Sequence, residues 1–177
     1  SNAQRFSYVM WDEIFEELAP EFPDVKVDRQ HCDAAVMNMV RMPEHFDVIV
    51  ASNLFGDLLT DLGGIIGGGL GLAPSTNTNP ERTAPSMFEP VHGSAPDIAG
   101  QGIANPYSMI GSVAMMLEMS FGMDSEARNL WQAMQSVFAA GYTTPDLVRR
   151  GKSEKKISTA EFGDRVVSEL EKQPVDN

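Results

Sequence analysis

The chain has 177 residues, 42% of them hydrophobic and 21% charged, enough apolar material for one good-sized domain or parts of two, which excludes a disordered tail. Its formal net charge of -12 excludes non-specific nucleic-acid binding and attraction to an anionic membrane, both of which need a basic surface. No apolar run reaches the length that spans a bilayer, and no signal peptide is expected. The single cysteine, Cys32, forms no internal disulfide, which fits a reducing cytoplasm, and it is expected to be buried and inert.

The opening Ser1-Asn2-Ala3 reads either as the scar of a cleaved tag or as native sequence. With no initiator methionine in view, the chain is expected to be a fragment. Residues 10–19 carry Trp11, Ile14, Phe15 and Leu18 on one face of a helix that Pro20 and Pro23 end. Val25-Lys26-Val27-Asp28 alternates and predicts a short strand. Asp33 stands where a helix can begin, and Ala34–Arg41 predicts a short helix stopped before Pro43. The apolar run Phe46–Ser52 predicts a buried strand, and Asn53 onward a helix with Leu54, Leu58 and Leu62 on one face.

Gly63-Gly64 and Gly67-Gly68-Gly69 then predict a break, read as a hinge or a close backbone approach. This stretch does not match G-x-G-x-x-G and follows a helix instead of opening one, so it is not a phosphate loop. Gly151-Lys152-Ser153 is not one either, because Asp146 stands where the leading glycine must be. Residues 75–86, rich in Ser, Thr, Asn and Pro, predict a surface loop, and Met87–His92 a short strand. Asn105-Pro106 opens a helix to about Phe121 that is apolar nearly all round and so expected to be buried. A second amphipathic helix over 125–140 uses Leu130, Met134, Val137 and Phe138. Ser158-Thr159-Ala160-Glu161 is a capping-box pattern that opens a final helix. Strand and helix alternate, so the class is α/β.

The chemistry centres on Asp57 and Asp61. A helix sets them about one turn apart on one side, where like charges repel unless a cation sits between them. A hard divalent ion such as Mg²⁺ or Mn²⁺ takes such oxygen ligands. From the spacing alone a solvated pair that complements the helix dipole is the better reading, because paired acids on helices are common.

Three blocks together carry a resemblance: His31-Cys32-Asp33-Ala34-Ala35; Asn53-Leu54-Phe55-Gly56-Asp57 through Asp61; and Glu89-Pro90-Val91-His92-Gly93-Ser94-Ala95-Pro96-Asp97-Ile98-Ala99-Gly100 through Asn105-Pro106. With them the chain resembles the C-terminal half of a β-decarboxylating dehydrogenase, the family of isocitrate and 3-isopropylmalate dehydrogenases. Within it, Asn79-Pro80-Glu81-Arg82 and the residues around Ser1–Arg5 are similar to the tartrate/D-malate dehydrogenase subgroup, with 3-isopropylmalate dehydrogenase the sister reading.

The resemblance implies the family's two-domain α/β fold, of which the chain would hold an incomplete C-terminal portion: residues 1–67 in the small dimerisation and metal-binding domain, and 68–177 in the large NAD-binding domain. It implies oxidation of a 2-hydroxy dicarboxylic acid such as tartrate or D-malate, with hydride passing to NAD and loss of CO₂. It implies Mn²⁺ or Mg²⁺ as metal, and leaves room for K⁺. Asp57 and Asp61 match metal ligands. Asp33 matches a third carboxylate, both metal ligand and catalytic, which reaches the partner subunit's site in a homodimer. His92, Gly93, Ala95, Asp97 and Asn105 match positions that hold the adenosine of the cofactor. A carboxylate at Asp97 accepts hydrogen bonds from ribose hydroxyls and repels a 2′-phosphate, which favours NAD over NADP. His31 and His45 match no functional position and read as structural or solvated. The family's lysine, general-acid tyrosine and substrate-gripping arginines match nothing here, and Tyr8, Tyr107 and Tyr142 do not replace the tyrosine by position. The 177 residues alone are therefore expected not to turn over substrate, which leaves a non-catalytic nucleotide- or metal-binding fragment as the competing class.

Overall fold

The computed structural model describes residue 6 and residues 8–148 and 154–173. The readings of Ser1–Arg5 and of Gly151-Lys152-Ser153 lie outside the described residues. The chain divides into two compact units, Ser1–Gly63 and Gly64–Asn177. No helix among the described residues is long and apolar enough to cross a membrane.

In the first unit, α1 (Val9–Leu18) ends in a 3-10 turn, Ala19–Glu21, that holds Pro20. Its apolar stripe is only partly used. Phe15 is half-buried beneath the Arg29 guanidinium, 5.6 Å from its ring, while Trp11, Ile14 and Leu18 are exposed. The Tyr8 ring lies 5.6 Å from Phe55, and its hydroxyl is 2.7 Å from Ser52 Oγ.

Helix α2 (Cys32–Arg41) begins before its expected start. His31 is the N-cap, so Asp33 lies inside the first turn, where its charge complements the free N–H groups. Cys32 is half-buried, more open than expected.

Two expected strands are absent. Neither Val25–Asp28 nor Phe46–Ser52 pairs with any described segment. Alternation and apolar runs predict extended backbone, but a strand needs a ladder, and these find none within the described residues. Val48 is 85% exposed and Val50 79%.

Helix α3 (Asn53–Ile66) turns Leu59 inward, with Phe55 and Leu62 half-buried, while Leu54 and Leu58 are exposed. It runs on through Gly63-Gly64, against the expected break. There the missing side chains permit contact: a Cβ at Gly63 would stand 3.3 Å from Met39 Cε, and one at Gly64 2.9 Å from Leu70 Cδ2. The helix stops at Gly68 and Gly69, whose φ of 117° and 134° L side chains rarely adopt.

The second unit holds most of the core. Strands β1 (Pro74–Asn77) and β2 (Met87–Pro90) pair antiparallel, with Ser75 opposite Glu89 and Thr76 opposite Phe88. The expected loop over 75–86 is thus shorter by its first residues. Helix α4 (Tyr107–Phe121) ends at Gly122 in the left-handed region, with Gly122 N–H donating to Glu118 O and Met123 N–H to Leu117 O.

This helix is not buried all round, contrary to its composition. Its inner face is made of Ser108, Gly111, Ser112 and Ala114, and Met109 and Val113 are exposed. Small residues let it approach α5 (Asp124–Ala139), which buries Ala127, Leu130, Ala133, Met134 and Val137 as its periodicity predicts.

Helix α6 (Thr159–Leu170) closes the core with Phe162 and Val166. Its capping box is complete: Ser158 Oγ accepts from Glu161 N–H at 3.2 Å, and Glu161 Oε2 accepts from Ser158 N–H at 2.8 Å. The short strands β3 (Tyr142–Thr143) and β4 (Lys155–Lys156) pair in parallel beside it. Arg165 stacks on the Tyr142 ring, its guanidinium carbon 3.5 Å from the centroid.

Candidate functional site

Helix α3 places Asp57 and Asp61 one turn apart, both exposed. Neither is ion-paired among the described residues, and only Asp57 has a side-chain hydrogen bond, accepted from Asn53 Nδ2 at 3.3 Å. Two carboxylates one turn apart suit a hard divalent ion in ligand type. Two carboxylates do not fill its coordination shell. Among the described residues no three His, Cys, Asp or Glu side chains cluster to hold a metal, so Asp33 does not complete the pair within the chain. Asp33 is itself exposed, and its Oδ1 accepts from the next backbone N–H, Ala34, at 2.8 Å.

The segment from His92 to Asn105 lies entirely in the second unit. It follows β2 as an exposed loop. His92 Nδ1 lies 2.8 Å from Gly93 O, which leaves Nε2 as the ring's outer nitrogen. A Cβ at Gly93 would meet nothing, so the backbone there faces open space. Ala95 has φ 43°, a left-handed conformation that costs a non-glycine residue about 1 kcal/mol or more. It turns the chain into the 3-10 turn Pro96–Ile98 that carries Asp97. The Asp97 carboxylate is exposed and has no partner among the described residues, leaving both oxygens able to accept.

Asn105 differs from the others in being only 7% exposed. Its Oδ1 accepts from Tyr107 N–H at 3.0 Å, satisfying a free donor at the start of α4, and its amide donates to Asp146 Oδ2 at 3.1 Å. Asp146 Oδ1 in turn accepts from the fully buried Thr144 hydroxyl at 2.6 Å. Tyr107 packs its ring on Phe138 at 5.3 Å, and burial pushes its phenol above the ordinary 10.0.

A model of the isocitrate/isopropylmalate dehydrogenase family matches residues 1–166. The chain belongs to the isocitrate/isopropylmalate dehydrogenase family.

Among its relatives, a probable tartrate dehydrogenase/decarboxylase of Agrobacterium vitis is 52% identical over 147 residues, covering 83% of this chain and 41% of that protein. A 3-isopropylmalate dehydrogenase of Desulfitobacterium hafniense is 45% identical over 161 residues, covering 91% of this chain and 44% of the relative. The crystal structure of isocitrate dehydrogenase from Methylococcus capsulatus superposes with a TM-score of 0.87 at 41% identity, over 96% of this chain and 48% of that one. The chain thus spans less than half the length of these relatives, and its α/β fold is a portion of the isocitrate dehydrogenase-like fold.

For this isocitrate/isopropylmalate dehydrogenase family member, the sequence blocks led to the metal-type and loop residues but not to Thr144 or Asp146. Asp146 entered the sequence reading only as a mismatch to a phosphate loop. Its link to Asn105 joins residues 41 apart, and no local pattern announces it.

Proposed function

We propose that this chain is part of an NAD-dependent dehydrogenase that oxidises and decarboxylates a 2-hydroxy dicarboxylic acid of the tartrate or D-malate type. The observation that carries the reading is the exposed Asp57 and Asp61 on one turn of α3, neither ion-paired among the described residues, in a member of this family. The 52% identity to the probable tartrate dehydrogenase/decarboxylase supports the choice of substrate class.

In this reading Asp57 and Asp61 supply two ligand oxygens to Mn²⁺ or Mg²⁺, and Asp33 of a partner subunit supplies a third. A cation held there would supply charge stabilisation on the substrate's oxygens, and a dinucleotide held by the loop would supply the hydride acceptor. Asp97 accepts hydrogen bonds from the ribose hydroxyls, and its charge repels a 2′-phosphate. His92, Gly93 and Ala95 bring backbone and one ring nitrogen to the adenosine, and Asn105 fixes the end of that loop. In this reading the chain by itself does not turn over substrate, because the family's lysine, general-acid tyrosine and substrate-gripping arginines match no residue in it.

A second reading, 3-isopropylmalate dehydrogenase, rests on the 45% identity to that enzyme over a longer stretch. The test is NAD reduction by the protein containing this chain, with D-malate, tartrate and 3-isopropylmalate offered in turn, with and without Mn²⁺. Turnover on D-malate or tartrate that requires the cation is the expected result. Faster turnover on 3-isopropylmalate would replace the first reading with the second, and cation-independent turnover would remove the role of Asp57 and Asp61.

A further inference from the structure

We propose that Asp146, seated by Thr144, is a positioning residue for the dinucleotide site, acting through Asn105. The inference rests on the cofactor reading above and extends it to two residues outside the recognisable loop. Three observations carry it.

First, the end of the loop is tied to the fold at two remote points. Thr159, at the start of α6, donates its backbone N–H to Gly102 O at 2.9 Å and its hydroxyl to Ala104 O at 2.5 Å. Asp146 then takes the Asn105 amide at 3.1 Å. Second, the two ends of the Asn105 amide are distinguished. Its oxygen faces a helix N–H and its nitrogen a carboxylate, so the network fixes which way the amide points. Third, the space around this pair is closed by backbone. A Cβ at Gly71 would stand 3.0 Å from Asn105 Cβ and 3.1 Å from Asp146 Oδ2.

Asp146 is itself exposed and contributes no apolar burial, while the two groups it joins, Asn105 and Thr144, are buried. Its removal takes no apolar area from the core but leaves the Asn105 amide and the buried Thr144 hydroxyl without their acceptor. What it loses is the orientation of Asn105 and, with it, the preorganisation of the loop that Asn105 ends.

The test is NAD affinity of the full chain by calorimetric titration, with circular dichroism to confirm folding. Asp146→Ala is expected to weaken binding roughly fivefold, the worth of one net hydrogen bond. Asp146→Asn is expected to stay within about twofold, because its amide can still accept from Asn105 and donate to the Thr144 oxygen. If Asp146 acts through Asn105, the double variant Asn105→Ala/Asp146→Ala binds no more weakly than Asn105→Ala. Should Asp146→Ala fail to fold, Thr144→Val removes only the seating hydroxyl and is expected to weaken binding in the same direction. Wild-type affinity in the folded Asp146→Ala chain, or losses that add in the double variant, would overturn the positioning role while leaving the cofactor site standing. Absence of NAD binding by the wild-type chain would instead overturn the cofactor reading, and this inference with it.

Discussion

Gly111 and Trp131 are in contact so close that a single methyl group between them has no room: a Cβ on Gly111 would stand 2.8 Å from Trp131 Cη2 and 3.2 Å from Cζ3. The contact sets how near α4 and α5 lie. It also explains why α4 buries small residues and leaves larger ones outside. Alanine is the better helix former by about 1 kcal/mol, so propensity alone makes Gly111→Ala stabilising. Overpacking costs typically 1–3 kcal/mol, about the same or more, so the variant is expected to be less stable than wild type. Urea unfolding followed by tryptophan fluorescence reads the sign, and a gain in stability would show that Trp131 yields easily.

Phe162 is fully buried and packs 5.3 Å from the Phe138 ring. Phe162→Ala is expected to cost about 3–5 kcal/mol, through lost transfer energy and the cavity left behind. A loss below about 1 kcal/mol would mean that α6 collapses onto the gap.

The capping box makes a pH prediction. Backbone and hydroxyl hydrogen bonds from Ser158 hold the Glu161 carboxyl below its ordinary 4.5. A carboxyl with a lower pKa folded than unfolded adds stability that is fully present above the unfolded value and is lost as pH falls through the folded one. The melting temperatures of wild type and Glu161→Gln are therefore expected to differ at neutral pH and to converge as pH falls below 4.5 and through the lower folded value. A difference that does not change with pH would assign Glu161 a purely steric part.

Stability and metal affinity at the Asp57–Asp61 pair should respond in opposite directions to one substitution. Without metal, Asp61→Asn relieves a like-charge pair one turn apart and is expected to stabilise α3 by a few tenths of a kcal/mol, about 0.2–0.5. The same change is expected to weaken Mn²⁺ binding, read by titration of the ion against the chain. A variant that loses stability and keeps its Mn²⁺ affinity would leave the pair as an ordinary solvated face of the helix.

What the sequence reveals depends on how far each signal reaches along the chain. The Ser158–Glu161 box and the stripe of Leu130, Met134 and Val137 lie within a few turns, and the structure has both where the pattern places them. Val25–Asp28 and Phe46–Ser52 carry equally good strand patterns, yet a strand requires a partner that no local window contains. Ser75–Asn77 fails the other way: polar residues that read as loop become a strand because β2 pairs with them. Gly63 and Gly64 look like breakers but serve as contact points for Met39 and Leu70, a role visible only in three dimensions.

The candidate site divides along the same line. Asp57 with Asp61, and the run from His92 to Asp97, are contiguous or one turn apart, and their spacing is meaningful in sequence. Asp146 supports Asn105 across 41 residues, and Asp33 stands apart from the aspartates of α3 within this chain. The link between Asp146 and Asn105 cannot be seen without coordinates.

The exposed run through Val48 and Val50 has a practical consequence for anyone handling the protein. It offers apolar side chains together with a line of backbone donors and acceptors that no described neighbour occupies. At neutral pH the net charge of -12 keeps copies apart. Near the isoelectric point of 4.5 that repulsion vanishes, so mildly acidic buffers and high salt are the conditions under which solutions of this chain should turn cloudy.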